Sequence, residues 1–404
     1  MSLNDTPSGE RLHIAFLGRR NTGKSSLVNA FTGQDLSVVS DVGGTTTDPV
    51  TKAMELLPLG PVQIIDTPGF DDEGDLGALR VGKTRQVLRR ADIALLVTDA
   101  AGELDKEEAE LLERLRARQI PCLVVRNKAD LHTQLPPETE GEIWVSAKTG
   151  ANIQELKERV ARLVRPDAPA KPLVADLLAP GDLAVLVVPI DKSAPKGRLI
   201  LPQQQVIRDA LEAGAMPLVV RDTELALALE RLPAPRLVIT DSQAFAAVSK
   251  IVPPAVPLTS FSILMARYKG DLPQQVAGAR AVDGLRDGDR VLIAEGCTHH
   301  RQCEDIGTVK LPRWIEARTG VKPDYAFTSG AEFPEDLSPY RMVVHCGGCT
   351  LNGREMKYRL GCAREQGVPM TNYGVLIAYL NGILARTLEP FPDLAALLKG
   401  GPQA

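Results

Sequence analysis

Residues 13–31 read HIAFLGRRNTGKSSLVNAF. An apolar strand-like run (HIAFL) gives way to a glycine-bounded turn and then to a helix-like stretch (SSLVNAF). The turn from Gly18 to Ser25 satisfies G-x-x-x-x-G-K-[ST] in the strand, turn and helix context that this pattern requires. The glycines let backbone N–H groups wrap a phosphate chain, Lys24 can reach the β and γ oxygens, and the Ser25 hydroxyl is a hard oxygen donor for magnesium. Gly18, Asn21, Gly23, Lys24, Ser25 and Ser26 are therefore the candidate phosphate-binding residues.

The same alternation continues to about residue 165. Short apolar runs (VQIID, ADIALLVTDA, PCLVVRN, IWVSA) alternate with amphipathic ones (KEEAELLERLRARQ, NIQELKERVARLV), which predicts a mostly parallel sheet covered on both faces. Asp66 in IIDTPG closes one of these strands, where its carboxylate can hold magnesium through water, and the Gly69 N–H can sense a γ-phosphate. In NKAD, Asp130 can accept two hydrogen bonds from the N1 and N2 edge of guanine, a donor pair that adenine lacks, while Asn127 and Lys128 frame the ring. SAK (Ser146, Ala147, Lys148) brings a backbone N–H towards guanine O6. The expected ligand is GTP or GDP with magnesium. Lys24, Asp66, Gly69 and a switch threonine are the catalytic candidates; that threonine is Thr46, with Thr45 the alternative, and Ser25 and Thr46 are the magnesium ligands.

At 404 residues the chain exceeds what one ordinary core holds, and 44% hydrophobic with 24% charged residues places it among folded rather than disordered proteins. RPDAPAKP (165–172), with Pro166, Pro169 and Pro172, denies a helix and reads as a linker. Beyond it, LAVLVVPI, PQQQVIRDALEAG, MPLVVR, DTELALALERL, PRLVITD and SQAFAAVSKIV repeat the alternation on a smaller scale, without Cys or His, as a self-association segment would. A third segment holds DRVLIAEGC, KLPRWIEARTG, PDYAFTSG, YRMVVHCGGC, NGREMKYRLGCAREQG and a last apolar helix. The expected class is α/β: a P-loop GTPase domain with a parallel sheet over 1–168, followed by two smaller α/β domains over 173–262 and 263–404. A net charge of -4 offers no excess of Lys and Arg to displace counterions from phosphates, which disfavours a nucleic-acid partner. The apolar run GVLIAYL (374–380) is too short to span a bilayer, and MSLNDTPSGE lacks the basic and apolar regions of an export signal. A cytoplasmic location without membrane contact is expected.

Half of the six cysteines and three of the five histidines fall in two short windows. AEGCTHH (294–300) holds Cys297, His299 and His300; HCGGC (345–349) holds His345, Cys346 and Cys349. Each window follows an apolar strand-like run, and the carboxyl ends of parallel strands are where ligands collect. In a reducing compartment, clustered cysteines are more often metal-binding or catalytic than disulfide-bonded. Gly347 and Gly348 permit the tight turn with which a C-x-x-C pair clamps one metal centre. Zinc in a Cys3His or Cys2His2 site and an iron-sulfur cluster with three cysteines both suit this donor set, and residue type does not separate them. Cys303 is a spare ligand; Cys122 lies in a core strand and Cys362 on a helix.

GRRNTGKSSLVNAF, GGTTTD, DTPGF, NKAD and SAK occur in that order, and the first segment resembles the Era/TrmE-like branch of small GTPases. Phe70 follows DTPG where Ras-like enzymes carry a water-orienting glutamine, so intrinsic hydrolysis is expected to be slow. The resemblance implies that Asn21 helps to hold a potassium ion and that potassium stimulates hydrolysis. Behind this segment, VLIAEGCTHHRQCEDIGTVKLPRWI and HCGGC, with 45 residues between His299 and His345, resemble the HydF family of scaffold GTPases in FeFe-hydrogenase maturation. That resemblance implies a [4Fe-4S] cluster on Cys297, Cys346 and Cys349, with His299, His345 or another exchangeable group at the fourth iron. It further implies a docked diiron precursor of the hydrogenase active site, a middle dimerisation domain and hence a homodimer, with apo-FeFe-hydrogenase and the radical-enzyme maturases as partners. The competing expectation is an RNA or ribosome-assembly GTPase with a zinc-stabilised C-terminal domain. The acidic balance and the lack of a basic, aromatic RNA-binding segment disfavour it. A radical enzyme using its own cluster is disfavoured because no C-x-x-x-C-x-x-C run is present.

Overall fold

The computed structural model of the protein describes residues 6–34, 50–67, 84–100, 103–133, 135, 138–164, 172–190, 199–296, 305–330 and 332–394. The chain forms two compact units, 1–169 and 170–404.

In the first unit, β1 (Leu12–Leu17), β2 (Val50–Leu56), β3 (Gly60–Asp66), β4 (Ile93–Asp99), β5 (Cys122–Asn127) and β6 (Glu142–Trp144) build one sheet in the order β2-β3-β1-β4-β5-β6. All neighbours run parallel except β2, which is antiparallel to β3. Side-chain alternation along β1 gives the sheet two apolar faces. Ile14 and Phe16 join a core with Leu27 and Phe31 of the helix Lys24–Thr32, whereas Ala15 and Leu17 join one with Leu111 and Leu115 of the helix Lys106–Ala117. Phe16 meets Phe31 edge-on, with centroids 5.5 Å apart. The mostly exposed β2 carries no apolar run, so only its pairing with β3 reveals it as a strand.

The second unit holds two four-stranded parallel sheets. β7 (Leu183–Val187), β8 (Met216–Val220), β9 (Leu237–Thr240) and β10 (Leu258–Ser260) are ordered β10-β9-β7-β8. β11 (Arg290–Ala294), β12 (Asp324–Thr328), β13 (Met342–His345) and β14 (Met370–Asn372) are ordered β12-β11-β13-β14. The helix Tyr373–Leu380 is apolar all round because it serves both sheets: Val375 and Ala378 join Leu186, Ile239 and Phe261, while Leu376 and Ile377 join Val291, Ile293 and Val344. Asn372 starts this helix by accepting the Val375 N–H at 2.7 Å. The expected division at 262/263 falls inside the helix Phe261–Lys269, capped by Ser260 at the end of β10. No helix among the described residues is long and apolar enough to cross a membrane.

Strand order sets two switch points. β1 lies between β3 and β4, and β11 between β12 and β13, so successive connections leave each sheet in opposite directions. Ligands of parallel sheets bind at the carboxyl ends of such switch points. The P-loop follows β1, and the two cysteine windows follow β11 and β13.

Phe261 is 2% exposed in the core that the shared helix joins to both sheets. Phe261→Ala is expected to cost about 3–5 kcal/mol in urea unfolding, as a cavity in a packed core does. Hydrogen exchange should then rise together in β9 and β11; loss of protection in β9 alone would show that the sheets unfold independently.

Candidate functional site

The nucleotide site is assembled around one buried amide. Asn127, at the end of β5, donates from Nδ2 to the Thr22 carbonyl at 3.0 Å, and its Oδ1 accepts the Ala147 N–H at 3.0 Å. P-loop, NKAD and SAK are thereby tied to one side chain. Gly23 sits at φ +80°, and a Cβ there would lie 2.4 Å from Asn127 Nδ2, so the turn requires glycine. Inside the loop, Thr22 Oγ1 donates to the Arg19 carbonyl at 2.9 Å and Lys24 Nζ donates to the same oxygen. Asn21 is exposed in the left-handed region at φ +60°, which asparagine tolerates.

Ser25 Oγ donates to Asp66 Oδ2 at 2.9 Å, so the hydroxyl and carboxylate expected to serve magnesium already meet, and hard oxygens are the donors this ion takes. Ser26 lies one residue on in the first helical turn. At the base side, Ser146 Oγ donates to Asp130 Oδ1 at 2.6 Å and Lys128 Nζ pairs with Asp99 Oδ2 at 2.8 Å. Of the SAK backbone donors, one of which is expected near guanine O6, the Ala147 N–H is engaged by Asn127, and Lys148 is exposed beside it. Sequence patterns do not single out Arg19, whose guanidinium pairs with Asp105, the N-cap of the helix Lys106–Ala117. Burial works to raise the Asp105 pKa, but the Glu108 N–H and Arg19 hold it below the ordinary carboxylate value. Thr45, Thr46, Gly69 and Phe70 lie outside the described residues.

At the second switch point the ladder brings Ala294 opposite His345, and the Cys346 N–H extends it by donating to the Ala294 carbonyl at 2.9 Å. Cys346 Sγ accepts the N–H of Gly296 at 3.0 Å and that of Gly348 at 3.4 Å. The Gly296 carbonyl accepts Thr350 Oγ1 at 2.9 Å, so both polar groups of this residue are bound to the HCGGC turn. Gly348 has φ +63°, and a Cβ there would meet Met356 Sδ at 2.6 Å. A sulfur ringed by N–H donors is prepared to carry negative charge, as a metal thiolate does.

Lys269, 5% exposed, donates from Nζ to the carbonyls of Cys349 and Leu351 at 3.0 Å each. Burial raises the Cys349 pKa and the nearby Cys346 raises it further, with Lys269 opposing both. Tyr373 donates to Glu295 Oε1 at 3.1 Å, and burial, followed by Cys346 and Glu295, drives its pKa well above the ordinary phenol value. The His345 ring, by contrast, is buried against Arg359. Cys297, His299, His300 and Cys303 lie outside the described residues, and among those described no three His, Cys, Asp or Glu side chains converge as a metal site. Cys122 is a half-buried thiol packed against a core at the start of β5, pushed up to about 12 by desolvation, and Cys362 is half-buried on the helix Gly353–Glu365.

Three family models match the chain. One described as a 50S ribosome-binding GTPase covers residues 13–128, the hydrogen maturase F dimerization domain covers 173–270, and the hydrogen maturase F tetramerization domain covers 273–390. The tRNA modification GTPase MnmE of Bordetella petrii is 37% identical over 155 residues, 38% of this chain and 34% of that protein. MnmE of Thiobacillus denitrificans is 35% identical over 152 residues, 37% of this chain and 33% of that protein. The chain thus spans about a third of the length of these curated relatives. Among solved structures, Era of Aquifex aeolicus is 19% identical, covering 59% of this chain and 97% of that one with a TM-score of 0.35. The G domain of T. maritima FeoB is 22% identical, covering 39% and 100% with a TM-score of 0.30. The first unit is a GTPase domain.

Asp130 generates a direct check of base selection. Asp130→Asn replaces an acceptor pair by one acceptor and one donor, so kcat/KM for GTP should fall by about 10²–10³-fold, the worth of two charge-assisted hydrogen bonds. Turnover of XTP, whose 2-oxo group accepts, should rise; an unchanged GTP preference would show that Asp130 does not read the base.

Proposed function

This chain belongs to the hydrogen maturase F (HydF) family, and on that premise we propose that it is a scaffold GTPase which carries a [4Fe-4S] cluster and delivers the diiron precursor of the FeFe-hydrogenase active site to the apo-hydrogenase. The observation that supports this most is the placing of Cys346 and Cys349 at the switch point between β11 and β13, with Cys346 Sγ held by the N–H groups of Gly296 and Gly348. Cys346 and Cys349 would hold the cluster with Cys297. Three cysteines leave one iron for an exchangeable donor, a place for which the family resemblance offers His299, His345 or another group, and when bound the cluster supplies that open iron as a docking corner for diiron cargo. The chain's own residues prepare the place: Gly296 and Gly348 donate to sulfur, Thr350 fixes Gly296, and the Lys269 ammonium pins the turn while offsetting the cost of burying thiolate charge.

In the first 168 residues, Ser25, Thr46 and, through water, Asp66 would hold magnesium, Lys24 and the Gly69 N–H would meet the γ-phosphate, and Asn21 would help to hold a stimulating potassium ion. With Phe70 in place of a water-orienting glutamine, hydrolysis is slow and serves as a switch of partner affinity, which requires nucleotide states that bind partners differently. Residues 173–262 would join two copies. β8 is an edge strand with Met216 and Val219 exposed, an open ladder that a second copy can extend. Residues 263–404 would carry the cluster. The radical-enzyme maturases would supply the cargo in the cytoplasm, without nucleic acid or membrane.

Anaerobic reconstitution with iron and sulfide tests this reading. The full chain should show iron-sulfur absorption and a reduced-state EPR signal, and Cys346→Ser should abolish both while GTP turnover is retained. A colourless, zinc-loaded chain, or undiminished cluster content in Cys346→Ser, would overturn it.

A further inference from the structure

His345 closes β13 with no exposed surface, and both ring nitrogens are engaged. Nδ1 lies 2.7 Å from the Cys346 carbonyl oxygen and Nε2 lies 2.9 Å from Arg359 Nη1. A carbonyl can only accept and a guanidinium can only donate, so Nδ1 carries the proton and the Nε2 lone pair takes the Arg359 N–H. Neither nitrogen keeps a lone pair for iron.

Arg359 is equally buried, and its three nitrogens serve three partners. Nε donates to Glu355 Oε1 at 2.8 Å, Nη1 to His345, and Nη2 to the Gly330 carbonyl at 2.7 Å, with the guanidinium 5.0 Å above the Phe333 ring. Turning the imidazole away would strand a buried charged donor, so the arrangement resists release. Strand alternation points the same way. Met342 and Val344 pack with Val291 and Ile293 on one face, where Cys346 also packs; Val343 packs with Leu292, Leu360 and Phe333 on the other. The His345 ring lies 6.5 Å from Phe333, on that second face. Adjacent letters of HCGGC are thus sent to opposite sides of the sheet.

We infer that His345 is a positioning residue and not a donor to the cluster: Arg359 and Glu355 lock its imidazole as the Nδ1–H tautomer, and that N–H holds the Cys346 carbonyl where the C-x-x-C turn leaves the sheet. The role rests on the cluster-carrying reading above, whereas the lock is a property of the chain itself. The exchangeable donor at the fourth iron then comes from elsewhere. Because the guanidinium uses three directions at once, its charge alone does not suffice and lysine cannot replace it.

The test uses the full chain labelled with [15N]histidine. Nitrogen NMR of the metal-free chain should report the Nδ1–H tautomer for His345, assigned with His345→Gln. After reconstitution with iron and sulfide, pulsed EPR should show no coordinated-nitrogen coupling that His345→Gln removes. Arg359→Met and Arg359→Lys should both shift the g-values of the reduced cluster and lower iron per chain several-fold, with GTP turnover kept. A ligand-sized coupling lost in His345→Gln would overturn the inference, as would a wild-type EPR spectrum in Arg359→Lys. If the Arg359 variants fail to fold, the labelled wild-type measurements still decide. A chain that takes up no cluster while His345 keeps its tautomer would sink the functional reading and leave the lock standing.

Discussion

Ala294 pairs with His345 in a parallel ladder, and the cysteine site follows from that register. Side chains alternate along a strand, so a shift of one residue would turn His345 to the face of Cys346 and carry Gly296 away from its sulfur. The register is held by apolar side chains buried on both sides of β11 and β13, notably Val291, Ile293, Val343 and Val344, none of which is exposed. Packing of ordinary residues therefore places the start of the first window, Ala294 to Gly296, beside the HCGGC turn.

The two sites use one structural device with different chemistry. Each lies where neighbouring parallel strands send their connections in opposite directions, and each is fixed by a small polar group that bonds several segments at once. At the nucleotide site that group is the Asn127 amide; at the cysteine site the Gly296 backbone plays the part, its N–H donating to Cys346 and its carbonyl accepting from Thr350. Buried cations then differ in role. Lys269 holds carbonyls of the cysteine turn from a helix about eighty residues earlier, whereas Arg359 is matched by Glu355 and serves to fix an imidazole.

How much of this was legible in the sequence depends on whether the signal is local. The P-loop, NKAD and the parallel sheet of the first unit could be read because each is a short strand followed by a turn of constrained chemistry. The helix Tyr373–Leu380 could be read as buried because it is apolar on every side. β2 could not, being polar and exposed, and β10 and β14 span three residues each, too few for a period to show. At the cysteine site the thiols were visible by spacing, but Thr350, Lys269 and Arg359 were not, since their roles arise from packing between distant elements. A Glu355–Arg359 pair four residues apart on a helix looks like a surface ion pair in sequence; only its complete burial against His345 gives it another meaning.

The proposal that Cys297 joins Cys346 and Cys349 at one cluster site can be tested on the metal-free chain without reconstitution. Treatment with a short bis-thiol crosslinker, followed by peptide mass spectrometry, should yield a bridge between Cys297 and Cys346 or Cys349. Bridges confined to Cys346 and Cys349, with Cys297 modified singly, would contradict it.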